Sequence, residues 1–119
     1  MKKKVLILDD DKACGLIFQT YLNYREDWDV KTAVNAQEAF KELEEAEYDV
    51  VISDLYMPDT TGLEFLGKVS DKYPSTIRVL FSANTSKIKS RPSYIHFVCE
   101  KGKFSIKDLA DKISLKLGA

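Results

Sequence analysis

Five short apolar runs, separated by amphipathic stretches and never paired by a hairpin turn, predict an α/β domain whose parallel sheet is covered by helices on both faces. The length agrees: 119 residues fit one doubly wound domain, read here as residues 1–119. Apolar residues at 45% and charged residues at 31% are ordinary for a packed globular fold.

Val5 to Leu8 is an unbroken apolar run, the mark of a strand buried on both faces. Ala13, Cys14, Ile17, Phe18, Tyr21 and Leu22 then recur at helical spacing and predict a first helix with those residues inward, capped by Asp11. Trp28 to Val34 alternates apolar and polar residues, so the second strand is less buried. Asn35 followed by Glu38 resembles a capping box and starts a helix with Ala36, Ala39, Phe40 and Leu43 inward. Val50 to Ile52 is the third strand, ending at Ser53-Asp54. The loop from Leu55 to Gly62, punctuated by Pro58 and Gly62, leads to a helix containing Leu63, Leu66 and Val69. Tyr73-Pro74 breaks that helix, Ile77 to Phe81 forms the fourth strand, and Ile95 to Val98 the fifth. Ser105 with Asp108 caps a last helix whose inward face is Ile106, Leu109, Ile113 and Leu117. Between the last two strands, residues 84–93 carry one large apolar side chain, Ile88, so a helix there is short or poorly anchored.

Eighteen Lys plus Arg against nineteen Asp plus Glu leave a net charge of −1, which gives no bulk argument for nucleic acid or an anionic membrane. The basic start, Met1 to Lys4, precedes only four apolar residues, against the about 7–15 of a signal-peptide core. No run approaches the ~20 apolar residues of a membrane helix. The expectation is a cytoplasmic protein with no direct nucleic-acid or membrane binding. Cys14 and Cys99 lack metal-binding or redox spacing and read as reduced structural thiols, and the single histidine, His96, reads as structural.

Open parallel sheets bind ligands at the carboxyl ends of their strands. Here the first strand ends in Asp9-Asp10-Asp11, the third in Asp54 and the fourth in Ser82, while Lys101 follows the fifth. Two carboxylates about 4 Å apart repel by roughly 4 kcal/mol at an effective dielectric near 20, so the cluster calls for a cation. Lys101 can offset one charge. A hard divalent ion suits the oxygen donors, and Mg²⁺ is favoured because a few carboxylates, water and a phosphoryl oxygen meet its octahedral demand. A carboxylate beside such a cation, a lysine and a small hydroxyl is equipment for accepting a phosphoryl group. Asp54 is the nucleophile in this reading, Asp9 and Asp10 hold the metal, and Ser82 and Lys101 bind the phosphoryl oxygens.

Four motifs in this order and spacing resemble the receiver domain of two-component response regulators, the family that includes single-domain chemotaxis regulators. They are Val5 to Asp10, the loop from Asp54 to Leu66, Ser82-Ala83, and Lys101. The resemblance covers essentially the whole chain. It implies a flavodoxin-like sheet of order 2-1-3-4-5 and Mg²⁺-dependent phosphorylation of Asp54 by a sensor histidine kinase or histidine phosphotransfer protein. It also implies that Asp10 and Asp54 ligate the metal directly with the backbone carbonyl of Tyr56, that Asp9 acts mostly through water, and that Ser82 swings toward the phosphoryl. The output is a changed surface read by a downstream protein, with the chain a monomer or a phosphorylation-dependent dimer; it is not an enzyme beyond assisting its own phosphorylation and dephosphorylation. Three departures stand out: Gly102 replaces the usual proline after the lysine, Val98 stands where an aromatic is usual, and the segment from Ser82 to Lys101 is short.

Other readings are a phosphorylation-independent interaction module and a receiver excised from a larger regulator or hybrid kinase. A metal-dependent phosphohydrolase using Asp9 and Asp11 lacks both the expected residue at Ala13 and a cap domain to enclose a substrate.

Overall fold

The computed structural model describes residues 2–23 and 28–118; Met1 and Ala119, the ends of the predicted domain, lie outside them. The elements run β1 (Lys3–Leu8), α1 (Lys12–Asn23), β2 (Trp28–Ala33), α2 (Ala36–Glu45), β3 (Val50–Ser53), α3 (Gly62–Lys72), β4 (Ile77–Ser82), β5 (Phe97–Glu100) and α4 (Ile106–Lys116). The strands form one parallel sheet in the order β2-β1-β3-β4-β5. This is the predicted doubly wound, flavodoxin-like architecture.

Because side chains alternate across a strand, each strand feeds two cores. Val5, Ile7, Val50, Ile52, Val79 and Phe81 face α1 and α4, where Phe18, Leu22, Leu109 and Ile113 meet them. Leu6, Leu8, Val51 and Leu80 face α2 and α3, against Ala39, Leu43, Phe65 and Leu66. That two-sided burial is why β1, β3 and β4 read as continuous apolar runs, whereas the outer strand β2 alternates.

The helix starts follow the capping signals. Asp11 Oδ1 accepts from the backbone N–H of Ala13 at 3.0 Å, and Asn35 Oδ1 from that of Glu38 at 2.8 Å. Ser105 and Asp108 form a reciprocal capping box on α4.

Two expectations need correction. In α1 the buried residues are Gly15, Phe18 and Leu22, while Ile17 and Tyr21 are exposed together with Leu16, and Ala13 is exposed as well. The inward stripe runs through Gly15, which faces Thr32 of β2, and through Phe18 and Leu22. Strand β5 starts at Phe97, two residues later than the apolar run. Ile95 is fully buried but precedes the ladder, which pairs Val79 with Phe97 and ends at Ser82 with Glu100.

The crossover 83–96 contains no helix. Its hold on the core comes from Ile88, Tyr94 and Ile95 and from the buried Arg78 of β4. The Arg78 guanidinium donates to the carbonyls of Tyr94, Pro74 and Thr76 at 2.6, 3.1 and 2.7 Å. His96 Nδ1 accepts from the Arg78 backbone N–H at 3.0 Å, which agrees with the structural role expected of it. Burial, with the Arg78 charge, keeps the His96 imidazole below its ordinary pKa and so neutral at pH 7.

Candidate functional site

At the carboxyl rim of the sheet, parallel register does what the sequence reading required. Leu8 and Ser53 are paired neighbours, so the chain leaves β1 and β3 side by side and delivers Asp9, Asp10 and Asp54 together. One carboxylate oxygen from each of the three lies within 4.8 Å of the others. Asp9 is buried, Asp54 half-buried and Asp10 exposed. An all-oxygen set of three carboxylates fits a hard divalent cation, with Asp10 on the open side where water completes a coordination shell.

Lys101 closes the rim from β5. Its Nζ lies 2.9 Å from Asp9 Oδ2 and 4.0 Å from Asp54 Oδ2. Burial works against its charge, but the hydrogen bond and attraction to Asp9, with the further pull of Asp54, raise its pKa above the ordinary lysine value. It is a fixed cation at neutral pH. Lys103, the other lysine of the turn, reaches Glu100 instead, at 3.5 Å. Gly102 between them has φ +95°, a backbone conformation that glycine takes without strain.

Asp9 is held on both oxygens, since Oδ1 accepts from the Asp11 backbone N–H at 2.9 Å while Oδ2 meets Lys101. Asp54 Oδ1 accepts from the Leu55 N–H at 2.7 Å, and Oδ2 faces Lys101. Ser82 is buried at the end of β4, and its carbonyl accepts from the Lys101 N–H at 2.8 Å. Tyr56 lies in the loop after Asp54, 54% exposed and bridged to Thr61. The rim thus brings together Asp9, Asp10, Asp54 and Lys101, with Ser82 and Tyr56 on the adjoining strand end and loop.

The loop from Asp54 to Gly62 is tightly built. Gly62 N–H donates to the Leu55 carbonyl at 2.6 Å, Met57 N–H to the Thr60 carbonyl at 3.0 Å, and Thr61 Oγ1 caps α3 by accepting from the Glu64 N–H at 3.2 Å.

Two neighbours of the site were not foreseen. Cys14 Sγ lies 3.6 Å from Lys101 Nζ, and burial, with Asp9 beside it, raises the pKa of its thiol, so it stays protonated near neutrality. Its spacing in sequence carries no signal of this contact, which spans the fold.

Asp59 reaches from the Asp54 loop to the start of α2, accepting from the N–H groups of Ala36 at 3.1 Å and Gln37 at 3.2 Å. With Asn35 on Glu38, the first three donors of α2 are satisfied. These bonds, Ala36 first, hold the Asp59 carboxyl below its ordinary pKa of 3.8. Asp59→Ala should therefore cost about 0.5–1 kcal/mol at pH 7, as for loss of a helix cap. Because the folded pKa is depressed, this contribution is complete above pH 3.8 and is lost as the pH falls through the folded value. Thermal melts of wild type and variant should differ by a constant few degrees from pH 7 to about 5 and converge in acid. A gap that persists unchanged in acid would contradict the carboxylate cap.

Comparison with known proteins agrees with this rim. The sequence profile of the response regulator receiver domain matches residues 5–96. The chain is 38% identical over 76 residues to the transcriptional regulatory protein TrcR of Mycobacterium tuberculosis, covering 62% of this chain and 29% of TrcR. It spans about a third of the length of the curated relatives it matches. The response regulator TrrA of Thermotoga maritima, crystallised with Mg²⁺ and BeF, superposes with a TM-score of 0.84 at 27% identity, covering 95% of this chain and 97% of TrrA. A CheY-like receiver domain protein from Methanospirillum hungatei superposes with a TM-score of 0.89 at 26% identity over 99% and 95% of the two chains. The chain belongs to the response regulator receiver domain family and is a receiver domain of two-component signalling.

Proposed function

We propose that this receiver accepts a phosphoryl group on Asp54 with the help of Mg²⁺ and signals through the resulting change of surface. The carrying observation is the convergence of three carboxylates within 4.8 Å, bridged by Lys101 at 2.9 Å from Asp9 and 4.0 Å from Asp54. The TrrA complex with Mg²⁺ and BeF supports it from a relative of the same fold.

Asp54 attacks phosphorus through a carboxylate oxygen; the new O–P bond forms as the bond to the donor's histidine nitrogen breaks, and that imidazole leaves. Its Oδ1 is oriented by the Leu55 N–H, so Oδ2, on the Lys101 side, is the nucleophile. Lys101, cationic and already placed, takes up charge from the phosphoryl oxygens. Ser82 donates its hydroxyl to another of them, and the Asp54 charge lost to the mixed-anhydride (acyl phosphate) bond is offset by the phosphate's own. Asp10 and Asp54 would hold the ion with the Tyr56 carbonyl, Asp9 acting through water. Magnesium, when bound, neutralises charge on the acids and the transferring group.

The proposed donor is a sensor histidine kinase or histidine phosphotransfer protein, and the reader is a downstream protein. We place the exchange in the cytoplasm, where ATP-derived phosphoryl groups are available; among the described residues no helix is long and apolar enough to cross a membrane. The chain is no enzyme toward other substrates in this reading.

Asp10→Asn tests the metal assignment. Asp10 is exposed, so the exchange leaves the core untouched. Magnesium affinity, followed by calorimetry, should fall at least about 10-fold, the scale seen even for groups that merely hydrogen-bond a metal ligand. Unchanged affinity would remove Asp10 from the site.

A further inference from the structure

The loop following Ser82 enters the helix-free crossover, and a side-chain bridge fastens its start to the end of β5. Glu100 Oε1 accepts two hydrogen bonds from Thr85, one from the backbone N–H at 3.3 Å and one from the hydroxyl at 3.0 Å. Lys103 Nζ lies 3.5 Å from the other oxygen of the same carboxylate. These bonds, those from Thr85 first, hold the Glu100 carboxyl below its ordinary pKa, so it is anionic at neutrality and both bonds are charge-assisted.

Glu100 is also the ladder partner of Ser82, and the next residue is Lys101, whose N–H donates to the Ser82 carbonyl at 2.8 Å. Ser82, Thr85, Glu100 and Lys101 therefore close a ring made of backbone, one side-chain bridge and one ladder bond. A displacement of Ser82 cannot leave the ring without moving β5. The aromatic side chain nearest in β5, Phe97, packs with the α1 and α4 core, with Lys112 Nζ 4.9 Å from its ring centre. Val98, on the opposite face, packs with the α2 and α3 core and has no polar group with which to follow a hydroxyl.

We propose that Thr85 and Glu100 are positioning residues that couple Ser82 to the end of β5. When an oxyanion on Asp54 draws the Ser82 hydroxyl, the segment 83–85 follows and the two bonds carry the displacement into Glu100 and the turn at 102–104. The coupling rests on the phosphoacceptor reading above, and it assigns the output of that site to a side-chain bridge between the loop after β4 and the end of β5.

Amide NMR of the full chain, titrated with magnesium and beryllofluoride as the phosphoryl mimic, tests it. Amides of Gly102 to Phe104 report the far side of the bridge, and that of Leu55 reports occupancy of the site. Wild type should respond at both. Thr85→Val should keep the Leu55 response, with affinity for the mimic within about threefold of wild type (~0.7 kcal/mol), and lose more than half of the shift at 102–104. Thr85→Ser, which restores the hydroxyl, should recover it, a rescue that a general loss of stability would not show. Glu100→Gln keeps a neutral acceptor and should fall between, and it carries the test if Thr85→Val does not fold. A full response at 102–104 in folded Thr85→Val or an undiminished one in Glu100→Gln overturns the coupling. Absence of any response in wild type, at Leu55 included, overturns instead the phosphoacceptor reading and the coupling with it.

Discussion

Asp54→Asn is expected to form no phosphoryl adduct and to melt at a higher temperature than wild type in the absence of metal. The first effect follows from chemistry: a carboxamide has no anionic oxygen to attack phosphorus. The second follows from charge. Asp54 shares the rim with two other carboxylates within 4.8 Å and with one lysine 4.0 Å away. Each such pair interacts by roughly 4 kcal/mol at 4 Å and an effective dielectric near 20, before the screening that exposed Asp10 enjoys. Neutralising Asp54 removes two repulsions and one attraction, and Lys101 keeps its closer bond to Asp9 at 2.9 Å. The Asn side-chain carbonyl can still accept from the Leu55 N–H, so the loop keeps its contact. The net gain is on the order of 1 kcal/mol, or several degrees in the melting temperature of a chain this size. A fall of several degrees would mean that Asp54 stabilises the fold and that the acidic rim stores no repulsion.

The largest loss of stability is expected at Gly62→Ala. A Cβ on residue 62 would collide with the Asp54 carbonyl oxygen and would lie 3.0 Å from the Asp54 carbonyl carbon and 2.9 Å from Leu80 Cδ1. Two of those three atoms are backbone, and the same segment is pinned by the bond from Gly62 N–H to the Leu55 carbonyl at 2.6 Å. Relief requires moving either the start of α3 or the strand end that carries the reactive carboxylate. Overpacking against side chains costs typically about 1–3 kcal/mol, and backbone has less room to yield, so a cost of about 3 kcal/mol or more is expected. The melting temperature should fall by ~10 °C or more, and phosphoryl uptake should drop with it. Gly67→Ala is the control within the same helix. Its Cβ would meet Tyr94 at an ordinary 3.7 Å, so the helix gains propensity, worth up to about 1 kcal/mol. Equal effects of the two changes would contradict the close approach at Gly62.

Much of this molecule was legible before its structure. Strand and helix order came from Val5 to Leu8, Val50 to Ile52 and the caps at Asp11, Asn35 and Ser105, all local signals that tertiary packing did not override. The rim followed from one geometric rule, that parallel strands present their carboxyl ends on one side, applied to Asp9, Asp10, Asp54, Ser82 and Lys101. The misread face of α1 shows the limit of periodicity: Ile17 and Tyr21 fit a helical repeat as well as Phe18 and Leu22, and only packing against the sheet and α4 selects between them. At β5, Ile95 is as buried as a strand residue without belonging to the ladder, so hydrophobicity alone misplaced the start. The contacts Asp59 to α2, Cys14 to Lys101 and Thr85 to Glu100 join polar groups far apart in the chain. No periodicity or spacing encodes such pairs; they appear when loops are placed in three dimensions.

Intact-protein mass after incubation with acetyl phosphate shows whether Asp54 is a phosphoacceptor. With magnesium a single phosphoryl adduct is expected, placed on Asp54 by fragmentation; with the metal chelated, or in Asp54→Asn, none is expected. An adduct on another residue, or no adduct in wild type with magnesium present, would contradict that role.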